Sequence, residues 1–279
     1  MQLWYSEIEN QEISYGYKVE NVLFRGHSEF QKVDVIETSA YGRMLVIDDL
    51  VMLSQSDEFV YHEMIAHVPM LLHKMPHRVL VIGGGDGGTV RELLKHDDVK
   101  EIVLCEIDGM VVDISREFFP EVAAGLGDSR VAINIGDGIE YVKNQASGSF
   151  DVVIVDSSDP VGPGEGLFTK EFYGNVAKMV GPDGLLVCQS ESPWFDHSFL
   201  RRIYDNVNGG FRHATPYIGA IPTYPRGVWS WTVGSQRPLD FQELDERRLE
   251  SLVGLSYLNS DVFRAAFALP NFYRQKLGI

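Results

Sequence analysis

The chain has 279 residues, 44% of them hydrophobic, with 40 acidic against 24 basic side chains and a formal charge of −16. That content suits one large domain or a large domain with a small companion, and the acidic balance disfavours nucleic acid and anionic membranes while attracting small cations. No apolar stretch approaches the roughly 20 residues of a membrane span. The opening residues lack a basic and then apolar leader, and Cys105 and Cys188 both sit in apolar runs, so the reading is a cytoplasmic protein with no cysteine chemistry.

Taken in chain order, residues 1–55 read as a small N-terminal antiparallel β domain, with alternating or β-branched runs at 13–19, 30–37 and 43–47 punctuated by Gly16, Gly26 and Gly42. Residues 56–279 form a second, larger domain. Ser56-Asp57-Glu58 places acids in the first turn of an expected amphipathic helix, in which Phe59, Ile65, Val68 and Leu72 recur at helical spacing. Apolar runs at 79–82, 102–106, 131–135, 150–155 and 184–189 then alternate with helical segments near 89–96, 108–118, 137–146 and 169–180. This alternation predicts an α/β fold with a doubly wound, mostly parallel sheet. Two further strands near 215–221 and 227–233, beyond a helix at 196–206, suggest an antiparallel edge, and residues 235–279 read as helical and peripheral.

The most informative segment is Gly83-Gly84-Gly85-Asp86-Gly87-Gly88, a glycine-rich turn between an apolar strand and a helix. Gly83, Gly85 and Gly88 satisfy the dinucleotide pattern, and Glu106 closes the next strand where a ribose diol would be bound. Asp86 argues against a pyrophosphate, because it sets like charge where only backbone N–H groups and a helix N-terminus should meet the ligand. A cationic or sulfonium-bearing nucleoside fits better. A second constellation follows the fourth apolar strand, where Val155 leads into Asp156-Ser157-Ser158-Asp159-Pro160-Val161-Gly162-Pro163. Ligands of open α/β sheets bind at the carboxyl ends of strands, so Asp86, Glu106, Asp156 and Asp159 are expected to face one cleft. The neighbouring prolines and Val161, Leu167 and Phe168 suit an organic ligand better than a metal.

With these blocks in hand the chain resembles the polyamine aminopropyltransferases, the family of spermidine synthase. The resemblance rests on residues 57–64 (Asp57 to Met64), 83–88, 106–108, 156–163 and 221–225, and it extends from about Trp4 to Phe272. It implies a Rossmann-like domain of the class I S-adenosylmethionine-dependent methyltransferase type. It further implies transfer of an aminopropyl group from decarboxylated S-adenosylmethionine to putrescine, giving spermidine and methylthioadenosine. No metal or redox cofactor is implied, since the nucleoside is a co-substrate, and the protein is expected to be a homodimer or homotetramer. Carried over by position, Gln31, Gly83, Gly85, Asp86, Glu106, Asp137, Gly138 and Pro163 are similar to contacts of the nucleoside donor. Tyr61, His62, Asp86, Asp156, Asp159, Gln189 and Tyr224 are similar to contacts of the amine, and Asp156 resembles the family's acid-base residue. The resemblance also implies that Asp86 selects the decarboxylated donor, which carries an ammonium and no carboxylate.

Three details and three competing functions remain at this level. Arg226 is expected to point away from the amine, Trp4 lies either near the amine or in the packing of the small domain, and Gly162 to Gly166 are read as part of a lid. The alternatives are an amine N-methyltransferase using intact S-adenosylmethionine, a non-catalytic polyamine or nucleoside sensor, and a dinucleotide dehydrogenase.

Overall fold

Two sheets organise the chain, which the computed structural model describes over residues 2–158, 162–195 and 197–279. The first is a five-stranded antiparallel meander of β1 (Leu3–Glu9), β2 (Ile13–His27), β3 (Lys32–Thr38), β4 (Gly42–Ile47) and β5 (Leu50–Ser54), paired in chain order. The sequence indicated three of these strands. It missed β1 and β5 and stopped β2 at residue 19. Val33, Val35, Leu45, Ile47 and Leu53 from one face of this sheet pack on Val111, Ile114 and Phe119 of and just beyond a helix of the larger unit, which brings the small sheet over the site described below.

The second sheet has seven strands: β6 (Arg78–Gly83), β7 (Glu101–Glu106), β8 (Val131–Ile135), β9 (Val152–Asp156), β10 (Leu185–Gln189), β11 (His213–Ala220) and β12 (Val228–Ser235). Their spatial order is β11-β12-β10-β9-β6-β7-β8. The five from β6 to β10 are parallel, and β12 inserts antiparallel between β10 and β11, so the expected antiparallel edge is present. The strand order reverses between β6 and β9, and that switch point opens a crevice at the carboxyl ends of both.

Alternating side chains of the central strands feed two cores. Val79, Val81, Ile154 and Val187 face the side of α1 (Glu58–Leu72) and α2 (Gly88–Leu93). Leu80, Ile82, Val153, Val155 and Leu186 face α5 (Lys170–Val180) and α6 (His197–Gly210), where Phe172, Tyr173 and Ile203 lie. Helices α3 (Gly109–Phe118) and α4 (Gly138–Lys143) follow β7 and β8, and three short helices, α7 (Glu246–Ser251), α8 (Ser260–Ala266) and α9 (Asn271–Leu277), end the chain. No helix among the described residues is long and apolar enough to cross a membrane.

The expected amphipathic helix is present as α1, but it is not amphipathic: every residue from Val60 to Leu71 is buried. The sheet covers one side of it and the C-terminal segment the other. Its polar residues are consequently committed. Asp57 accepts from Thr223 N and Thr223 Oγ1, both at 2.8 Å, and from Ser54 Oγ at 2.7 Å. Buried Glu63 accepts from the backbone N–H groups of Ser256, Tyr257 and Leu258 at 2.6, 3.0 and 2.7 Å. A buried carboxylate needs such donors, and three of them fix the C-terminal segment to the helix.

Candidate active site

The crevice at the switch point is a two-lobed cavity. One lobe, of about 150 Å³, runs from Gln31, Glu106 and Asp137 to Asp86, Tyr61, His62 and Asp156. The other, of about 260 Å³, is lined by Gln189, Glu191 and Trp229 and, from the small sheet, by Glu7 and Glu9. Met52, Tyr61, Ser157 and Tyr224 border both. Both sheets therefore build the site.

Backbone geometry explains the glycine turn. Gly84 has φ = +68°, and a Cβ there would stand 2.8 Å from Asp156 Oδ2, while a Cβ at Gly88 would overlap the ring of His62. Only glycine lets the turn after β6 approach the end of β9 and the flank of α1 this closely. The carboxylate of Glu106, 6% exposed at the end of β7, accepts from Gly85 N at 3.1 Å and Asp108 N at 2.9 Å. Burial pushes its carboxyl up to about 7, against the opposing effect of those N–H donors. Gln31 also lines this end, its amide donating to Asp108 Oδ2 at 2.9 Å. Asp137 caps α4, accepting from Ile139 N at 2.7 Å, and Gly138 lies beside it on the cavity wall.

Asp156, 9% exposed, lines the first lobe next to Ser157, which borders both. Tyr61 Oη donates to its Oδ1 and Thr89 Oγ1 to its Oδ2, each at 2.7 Å. Burial and then the charge of Asp86 raise its pKa above the ordinary carboxylate value, and these two hydroxyls work the other way. A carboxylate so placed is a stronger base than one in water.

Beside it runs a partly buried chain of alternating charge. His62 lies between Glu58, 2.5 Å from its Nδ1, and Asp86, 3.2 Å from its Nε2. Arg91 grips both oxygens of Glu58 at 2.8 and 2.9 Å. Burial disfavours charge on the imidazole, but Asp86 and Glu58 overcome it and push His62 up to about 10, so it is an imidazolium at neutral pH. Asp86 is partly buried, and His62 and the N–H of Gly88 hold its carboxyl below the ordinary range. Both ring nitrogens of His62 are thus engaged, and it bears on a ligand through the charge of Asp86.

The second lobe is aromatic and carbonyl-rich. The ring of Tyr224 lies 5.9 Å from that of Tyr61, tilted at 54° to it, and its hydroxyl donates to Met52 O at 2.6 Å. Gln189 bridges Ser157 O and Glu191 N. Ser157 Oγ and Trp229 Nε1, atoms of residues on the cavity wall, are buried without a hydrogen-bond partner among the described residues. No cluster of three or more His, Cys, Asp or Glu side chains among the described residues has the arrangement of a metal site.

The structure thus brings together Gln31, Tyr61, His62, Gly83, Gly85, Asp86, Glu106, Asp137, Gly138, Asp156, Gln189 and Tyr224. Asp159 and the side chain of Pro163 lie outside the described residues, and the expected lid residues 162–166 fall in a 3₁₀ turn, Gly162–Phe168. Trp4 is 54% exposed on β1 and packs beside Gly16, away from the cavity wall. Arg226 does not hang outward alone. It turns back to Glu9, with Nη2 2.7 Å and Nε 3.0 Å from the carboxylate. Sequence reasoning missed Thr89, Glu58, Arg91 and Glu9. Thr89 had a signal available, as the first hydroxyl after the glycine turn at the start of α2, whereas Glu58 and Arg91 read as ordinary helix charges.

Comparison with known proteins agrees with this geometry. Residues 58–243 match the spermine/spermidine synthase domain, and residues 3–55 match the spermidine synthase tetramerisation domain. A polyamine aminopropyltransferase of Moorella thermoacetica is 43% identical over 275 residues, covering 99% of this chain and 96% of the relative. One of Bacillus mycoides is 41% identical over 272 residues, covering 98% of each. A crystal structure of spermidine synthase in complex with the transition-state analogue AdoDATO aligns with a TM-score of 0.95 at 39% identity, covering 99% of this chain and 95% of that one. Spermidine synthase from Thermotoga maritima aligns with a TM-score of 0.92 at 38% identity, covering 99% and 94%. With matches of this extent over both sheets, the chain belongs to the spermine/spermidine synthase family, the polyamine aminopropyltransferases.

Proposed function

We propose that this protein is a spermidine synthase that moves the aminopropyl group of decarboxylated S-adenosylmethionine onto putrescine. The observation that carries the reading is Asp156 in the first lobe, raised in basicity and oriented by two hydroxyls, one of them from Tyr61, which borders both lobes. The nucleoside belongs in the first lobe, its ribose diol on Glu106 and its adenine toward Asp137. Its ammonium approaches Asp86. Asp86 is the acid of the Arg91, Glu58, His62 and Asp86 chain that lines the cavity, and its charge attracts that ammonium and disfavours the carboxylate of intact S-adenosylmethionine.

Putrescine belongs in the second lobe, alongside the rings of Tyr61 and Tyr224 with Gln189 near its chain. An alkylammonium, with a pKa of roughly 10, has no lone pair at neutral pH. Asp156 first holds it and then accepts one proton. The freed nitrogen attacks the methylene next to the sulfonium, the C–N bond forms as the C–S bond breaks, and the bonding pair leaves on sulfur as neutral methylthioadenosine. The step needs no metal or redox cofactor. Asp159 is the second amine carboxylate and Pro163 a donor contact in this reading, and residues 162–166 close over the bound pair. The match of residues 3–55 to a tetramerisation domain supports a homotetramer, acting in the cytoplasm.

The test is mass spectrometry of the purified protein with decarboxylated and intact S-adenosylmethionine and an equimolar panel of putrescine, cadaverine, agmatine and spermidine. Methylthioadenosine with aminopropylated putrescine is expected. Methylated amine with S-adenosylhomocysteine would assign the methyltransferase alternative, and donor binding without any product would assign a sensor.

A further inference from the structure

The far side of the second lobe carries an ion pair that bears on which amine the site accepts. Glu9, the last residue of β1, lines this lobe, and its side chain is only 10% exposed. Its carboxylate accepts from Tyr15 Oη at 2.7 Å and from Arg226 through both Nε and Nη2. Arg226 reaches it from the turn between β11 and β12, with φ = +70°. A non-glycine residue in the left-handed region costs free energy and persists where its surroundings hold it there. From there the guanidinium ties the turn between β11 and β12 to the end of β1. Glu9 is accordingly a carboxylate on the cavity wall whose charge is already matched. Burial works against its ionisation, but Arg226 and Tyr15 keep it fully ionised.

We infer that the Arg226–Glu9 pair is a specificity device that limits the length of the acceptor amine, an inference that rests on the aminopropyl-transfer reading above. A diamine gripped at Asp156 needs one further ammonium site. A longer polyamine carries an additional ammonium toward the β1 side of the lobe, where the carboxylate of Glu9 is already matched by Arg226 and that of Glu7 already accepts from Val51 N. At Glu9 that charge must shed water against a neutral pair, so the diamine is favoured. Removing the arginine converts the same wall into an ammonium site.

Arg226→Gly is the variant to make, because glycine takes φ = +70° without strain. The affinities of putrescine and spermidine are measured by calorimetry in the presence of methylthioadenosine, so that no turnover is required, and kcat/KM for each amine is measured separately. The affinity ratio of spermidine to putrescine is expected to rise about 10- to 100-fold, the range of one charge-assisted hydrogen bond. Arg226→Lys should keep the wild-type ratio, and Glu9→Gln combined with Arg226→Gly should return it to that level. A ratio within twofold of wild type in Arg226→Gly, or a gain that survives Glu9→Gln, overturns the inference. Failure of the functional reading itself appears elsewhere, as absence of aminopropyl transfer by the wild-type protein.

Discussion

Replacing Thr89 by valine removes one of the two hydroxyls that hold Asp156 and alters little else, since the side chain is fully buried and nearly isosteric with its replacement. Thr89 Oγ1 donates to Oδ2 and therefore favours the ionised carboxylate. Without it the pKa of Asp156, already raised by burial and by Asp86, rises further. A hydrogen bond to a charged group contributes about 1.5–3 kcal/mol, and one pKa unit corresponds to about 1.4 kcal/mol, so the shift is about one to two units. The sign is fixed by which form the hydroxyl binds. In kcat/KM measured from pH 6 to 10 by release of methylthioadenosine, the acid limb should move upward by that amount, with the loss largest at low pH and shrinking as the medium becomes alkaline. Nucleoside affinity should stay near wild type. A loss equal at every pH would reduce Thr89 to a packing role, and an acid limb that moves downward would refute Asp156 as the base.

Four further outcomes are expected. Asp156→Asn should lower kcat by about 10²- to 10⁴-fold while retaining methylthioadenosine binding; turnover near the wild-type rate would remove it from the proton transfer. If a ribose diol donates to both oxygens of Glu106 as proposed, it selects the ionised form of a carboxyl pushed up to about 7, so nucleoside binding at pH 7 should expel roughly half a proton, measured by calorimetry in buffers of different ionisation enthalpy. By the same linkage, the stability contributed by this raised carboxyl is complete below its unfolded value and is lost as the pH climbs through about 7, so methylthioadenosine should raise the melting temperature more at pH 8 than at pH 5. Gly88→Ala should displace His62 from Asp86 and cost at least about tenfold in kcat/KM, roughly 1.4 kcal/mol, despite alanine's better helix propensity; unchanged kinetics would mean that the imidazolium is dispensable.

The parallel half of the molecule was legible because its signals are local. Residues 79–88 and 150–156 each join a continuous apolar strand to a turn rich in glycine or acid, and both strands proved to flank the switch point. β1 was not legible because its pattern is inverted: Glu7 faces inward, where it accepts from Val51 N, while Leu3, Trp4 and Ile8 are exposed. The hairpin from β4 to β5 escaped for a different reason. Asp48 and Asp49 hold φ of 48° and 69°, the left-handed pair of a tight two-residue turn, but without the glycine that usually announces it. In the site, single residues such as Glu106 and Asp156 could be found from strand ends, whereas the chain from Asp86 through His62 and Glu58 to Arg91 depends on how α1 lies against α2. No spacing within either segment encodes that.

The three N–H groups that satisfy Glu63 come from residues 256–258, on the far side of the chain from the helix that they hold. That helix also carries Tyr61 and His62. During synthesis the glycine turn, Glu106 and Asp156 are all made long before Ser256 emerges, yet a buried carboxylate without donors would oppose seating α1 against the sheet. The part of the pocket built by α1 is therefore completed last, by a segment that lines neither lobe, and a chain cut short before Ser256 would keep Asp86, Glu106 and Asp156 while losing the seat of Tyr61 and His62.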